Sequence, residues 1–95
     1  MSIEERLRSE AADRNAWSNG PGDRYARHTH QYTKVPYCVS GSIDFVLDDR
    51  IIHLEAGERM VLPAGTAHAA TDGPNGCACV EGKARARTPA SVSAD

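Results

Sequence analysis

The chain has 95 residues, 40% hydrophobic and 25% charged, with a formal net charge of -2. That is room for one domain and not two. The near-balanced charge, with no basic stripe or aromatic platform, excludes a nucleic-acid binder, and no apolar run reaches the length of a membrane span.

The opening "MSIEERLRSE" is too charged for a signal peptide, so a cytoplasmic protein is expected. Residues 2–14 read as a helix, because Ser2 followed by Glu5 makes a capping box. Its apolar content is thin (Ile3, Leu7, Ala11), which predicts a peripheral position. Residues 19–23, "NGPGD", are strong turn punctuation. Residues 1–21 are therefore expected to form an N-terminal helix or arm.

From Tyr25 to Gly82 the helical period disappears. The short runs "VPYCVSG", "SIDFVLDD", "RIIHLEAG", "RMVLPAG", "HAATDGPNG" and "CACVEG" alternate apolar or β-branched residues with turns. A repeat of roughly ten residues per strand and turn is the mark of an antiparallel sandwich or small barrel. Ile43, Phe45 and Leu47 share the inward face. "DDR" at 48–50 and "DGPNG" at 72–76 each suit a hairpin turn, and Pro36 implies an edge position or a bulge. Residues 22–82 are thus an all-β domain. The last segment, 83–95, has almost no large apolar residue and is expected to be a flexible tail.

Cys38, Cys77 and Cys79 are an odd number, which argues against a disulfide framework. They are expected as small apolar core residues, with Cys77 and Cys79 on one strand face.

Chemistry concentrates on four side chains. On a strand, residues i and i+2 face the same way, so His28 and His30 project together as a metal requires. Lys34 has the same parity if the strand continues. His68 follows the turn "LPAGTAH", and closure of the sheet would bring it beside the pair.

Residues 22–41 read G-x5-H-x-H-x3-K-x6-G, and residues 57–72 read G-x5-P-x-G-x2-H-x3-D. Together they resemble the two signature motifs of the cupin superfamily. The cupin pattern has glutamate where Lys34 stands and asparagine where Asp72 stands; the other fixed positions match. The resemblance implies a double-stranded β-helix, a jelly-roll barrel with a site in its mouth. It also implies a divalent transition metal (Fe, Mn, Ni or Zn) held by His28, His30 and His68, with Lys34 at the fourth-ligand position. Small cupins commonly dimerise, so a homodimer is expected, with Trp17 as an interface anchor.

The lysine changes the chemistry. A protonated lysine has no lone pair to give. At about 4 Å from a dication and an effective dielectric of about 20, the repulsion is roughly 8 kcal/mol. The expected resolution is a lysine turned aside and paired with an anion, Asp72 or Glu81, leaving the metal to three imidazoles. Lys34 would then orient an anionic substrate or act as acid or base. His53 fits neither motif and is expected to be a solvated or packing residue, and Tyr32 is a candidate for the site mouth.

Three functions are consistent with this pattern. One is a metal-dependent enzyme of dioxygenase, isomerase or lyase type acting on a small polar or anionic molecule. The second is a non-catalytic module that binds a small-molecule ligand, and the third is a metal-free regulatory cupin.

Overall fold

The computed structural model describes residues 2–85 and 93–94. Helix α1 spans Ile3–Glu10, and seven strands follow: β1 Ala11–Asn19, β2 Arg24–His28, β3 Lys34–Leu47, β4 Ile51–Glu55, β5 Glu58–Arg59, β6 His68–Ala84 and β7 Ser93–Ala94. The strands pair antiparallel into the expected all-β, double-stranded β-helix barrel.

The capping box forms: Ser2 Oγ accepts from the Glu5 amide at 3.1 Å, and the Ser2 amide donates to Glu5 Oε1 at 3.2 Å. The helix stops at Glu10, short of the expected residue 14. Ala11 is already extended and starts β1, which pairs with the C-terminal half of β6, Ala11 opposite Ala84 and Trp17 opposite Cys79. Strand partnership overrides the helical propensity of "AADR".

The two longest strands build the barrel. Residues 34–41 of β3 face residues 77–83 of β6, and residues 43–47 of β3 face residues 68–72. β1 and β5 extend the first half, while β2 and β4 flank the second. "VPYCVSG" and "SIDFVLDD" are therefore one strand, as are "HAATDGPNG" and "CACVEG". The strands turn the corner where Gly41 crosses Gly76, both at positive φ; a Cβ on Gly41 would collide with the Gly76 carbonyl. The expected hairpin at 72–76 is thus a bulged corner inside β6, because Gly41 and Ile43 face Cys77 and Asp72 and the residues between loop out. The turn at 48–50 does close a hairpin, with Leu47 N donating to Arg50 O at 2.8 Å.

Pro36 is neither at an edge nor in a bulge. It lies opposite Glu81 of β6 and accepts from Met60 N at 3.2 Å on its other side. Proline has no N–H to return that second bond, and the ladder there is short. The bulge comes later, between Cys38 and Ser40.

Two apolar clusters result. Cys38, Ile43, Phe45, Leu54, Met60, Leu62, Cys77 and Cys79 are among the residues that fill the barrel. All three cysteines are free and buried, as expected. Leu7, Ala11, Val35, Tyr37, Val61 and Val80 form a second cluster, which includes the one buried residue of the helix, Leu7. Of the expected flexible tail 83–95, residues 86–92 and 95 lie outside the described residues. No described helix is long and apolar enough to cross a membrane.

Candidate metal centre in the barrel mouth

Two local devices bring the imidazoles together. His28 ends β2 and lies opposite His68, which starts β6. The register slips by one between Tyr25 and His28. That bulge keeps His28 on the same inward side as Tyr25, which simple alternation would not. The strand stops at His28, so His30 and Lys34 do not share one unbroken strand with it; His30 lies in the connection before β3. That connection is tied to the second motif by Gly65 N to His30 O at 2.9 Å and Ala64 N to Thr33 Oγ1 at 3.2 Å. The motif turn itself is closed by Thr66 N to Pro63 O at 3.1 Å, with Gly65 at φ 80°. That geometry asks for glycine at the third position of the turn, after Pro63 and Ala64.

The three rings converge. Their centroids are 4.9 Å apart for His28 and His30, 4.4 Å for His28 and His68, and 5.4 Å for His30 and His68. One ligand nitrogen from each lies within 4.8 Å of the others. His28 is exposed, His30 half-buried and His68 buried, so the cluster grades from solvent into the barrel.

The protonation pattern suits a metal. His28 Nδ1 lies 2.7 Å from Ala26 O, and His68 Nδ1 lies 3.0 Å from Thr66 O. A carbonyl only accepts, so both Nδ1 atoms carry the proton and Nε2 keeps its lone pair. Burial lowers the pKa of His30 and His68 below the usual imidazole range, with the Lys34 charge adding to it. Both rings are therefore neutral at neutral pH. Their Nε2 atoms are buried and have no hydrogen-bond partner. Buried polar atoms are normally paired. A metal fits these donors: it would satisfy both orphaned nitrogens at once.

Lys34 is buried at the start of β3, its Nζ 3.0 Å from Glu81 Oε1. Glu81 is also held by Trp17 Nε1, which donates to the same oxygen at 2.5 Å. The carboxylate cancels the ammonium beside the histidines and offsets the repulsion a dication would meet. Asp72, the other expected counter-ion, is not its partner. Both Asp72 oxygens are buried without a hydrogen-bond partner.

A cavity of about 220 Å³ opens beside the cluster, lined by Trp17, Tyr25, His28, Lys34, Phe45, Ala70 and Glu81. The sequence motifs pointed to a site in the barrel mouth but not to its aromatic wall. Phe45 was legible as inward-facing, but Trp17 and Tyr25 come from the segment preceding the first histidine and enter through strand pairing. Trp17, expected as an interface anchor, packs edge-on to Tyr25 at 5.4 Å, with its N–H committed to Glu81. Tyr32 does approach the site, its ring 5.2 Å from that of His30. His53 stands apart on the outer hairpin, exposed and bonded to Asp44 and Glu55.

The cupin-domain family model matches residues 17–77. This chain belongs to the cupin family. Solved structures agree on the fold. A cupin-2 domain-containing protein from Shewanella frigidimarina is 22% identical, with a TM-score of 0.66 over 76% of this chain and 69% of that one. An RmlC-like cupin from the same organism is 26% identical, with a TM-score of 0.67 over 78% and 66%. A variant of oxalate decarboxylase from Bacillus subtilis is 17% identical, with a TM-score of 0.72 over 94% of this cupin and 25% of the decarboxylase. This chain therefore spans about a quarter of that enzyme. No curated protein matches the sequence.

Proposed function

We propose that this cupin is a metal-dependent enzyme that binds one divalent transition metal through His28, His30 and His68 and acts on a small anionic molecule in the adjoining cavity. The observation that carries the reading is the pair of buried, unpartnered Nε2 atoms on His30 and His68. One ligand nitrogen from each of these rings and from His28 lies within 4.8 Å of the others. When bound, the metal would supply Lewis acidity at the edge of the cavity. The backbone carbonyls of Ala26 and Thr66 hold His28 and His68 in the ligating tautomer. Lys34 keeps donors beyond the one aimed at Glu81 and can hydrogen-bond an anionic substrate or pass it a proton. Glu81 and Trp17 fix where that ammonium stands.

Metal analysis of tag-free protein tests the reading. One equivalent of Fe, Mn, Ni or Zn per chain is expected after reconstitution, and His68→Ala should weaken uptake at least about a hundredfold. Failure of all four metals to bind the folded wild-type protein would overturn it.

A further inference from the structure

We propose that the cavity takes a small carboxylate with an apolar body, its carboxylate toward the histidine cluster and its body against the aromatic wall. This rests on the metal reading above and names the ligand class for that site. The charges come first. Lys34 and Glu81 cancel each other, so the cavity's side chains offer no net charge with neutral histidines. A dication on the histidines would make the site cationic, which calls for an anion. The walls come second. Trp17, Tyr25 and Phe45 supply ring surface, and the polar lining is confined to His28, Lys34 and Glu81. A compact acid would leave the rings facing water, whereas an apolar body would cover them. An aromatic body would also extend the edge-to-face contact that Trp17 and Tyr25 already make at 74°. Size comes third. An apolar cavity of about 150 Å³ is enough for benzene. The 220 Å³ here therefore leaves room for a ring and a carboxylate.

Trp17 is the chain's single tryptophan, so its emission reports directly on this cavity. The experiment titrates zinc-loaded protein with benzoate, acetate and benzyl alcohol, following Trp17 fluorescence and zinc content on the same samples. Benzoate should bind saturably and at least about tenfold tighter than either acetate or benzyl alcohol. Equal affinity for acetate and benzoate overturns the apolar half of the proposal; equal affinity for benzyl alcohol and benzoate overturns the carboxylate half. If zinc does not load, whichever of Fe, Mn or Ni does takes its place in the titration; failure of all four overturns the metal reading and this proposal with it, so the two failures are distinguishable. In a second arm, Ala70→Leu narrows the wall and should weaken benzoate at least about tenfold while leaving acetate within about twofold. Unchanged benzoate affinity in that variant, with its fold checked by thermal melting, also overturns the proposal.

Discussion

The patch where the helix docks and the mouth of the barrel both bury polar side chains, yet they handle them in opposite ways. Under the helix, Glu10 Oε1 lies 2.9 Å from an Arg59 nitrogen, Tyr37 donates to the other Glu10 oxygen, and Arg6 donates to the Gly57 carbonyl at 3.3 Å while lying over the Tyr37 ring. Burial and the Glu10 bond push the Tyr37 hydroxyl up to about 12, so it stays a donor. At the mouth, two imidazole nitrogens are buried with nothing to bond. A patch that spends its polar groups on itself contributes to stability; one that leaves lone pairs unspent is available for a ligand. Arg59→Ala should break the first region, costing about 3 kcal/mol in urea unfolding because a largely buried carboxylate loses its charge partner. His30→Phe keeps an aromatic ring and removes both ring nitrogens, the unpartnered Nε2 among them. It should change the stability of metal-free protein by less than about 1 kcal/mol while lowering metal uptake. A large loss of stability from His30→Phe would show that the mouth is structural, and the contrast would collapse.

Asp72 sharpens the contrast from inside the barrel. It is 3% exposed, and both its oxygens are without a partner. Burial raises its pKa above the usual carboxylate value, with the Asp23 charge adding to the shift. The folded state therefore holds this proton more tightly than the unfolded chain. The stability that Asp72 contributes is fully present below its unfolded value of 3.8 and is lost as pH rises through the higher folded value. Asp72→Asn installs the residue common at this position of the cupin motif and removes the charge. The variant should be more stable at neutral pH by about 1–3 kcal/mol, with the gain shrinking in acid. An equal gain at both ends of the pH range would mean that packing, and not ionisation, sets the difference.

The three histidines were legible because the cupin spacing is local and rigid: a fixed turn separates Pro63 from His68, and a fixed interval separates His28 from His30. Glu81 was legible as one of two candidate partners for Lys34, since by strand parity it shares the inward side of Cys77 and Cys79. Parity could not choose between Glu81 and Asp72, because it gives a direction and no distance along the barrel. The corner at Gly41 and Gly76 was opaque for another reason. Glycines beside proline and asparagine read locally as a turn, and only the crossing of two distant strands shows that they are a bend within a strand. The end of the helix was hidden likewise. Residues 13–16 are exposed, so no apolar alternation announces β1 before it finds β6.

The remaining histidine provides the smallest and cleanest test of what separates surface from mouth. His53 stands on β4, its Nδ1 2.6 Å from Asp44 Oδ1 across the hairpin and its Nε2 3.2 Å from Glu55 Oε2. Both ring nitrogens face carboxylates, the reverse of His30 and His68. The bond to Asp44 and then that to Glu55 raise its pKa above 6.5. A raised folded value means that the contribution is complete below 6.5 and fades as pH climbs through the folded value. The ring is half exposed, so solvent screens the pair and the effect is small. His53→Gln should therefore lower the melting temperature slightly at pH 6 and leave it nearly unchanged at pH 8, with metal uptake untouched at both. If the variant instead loses metal, the outer hairpin is coupled to the mouth, and the division between a self-satisfied surface and an open site does not hold for this barrel.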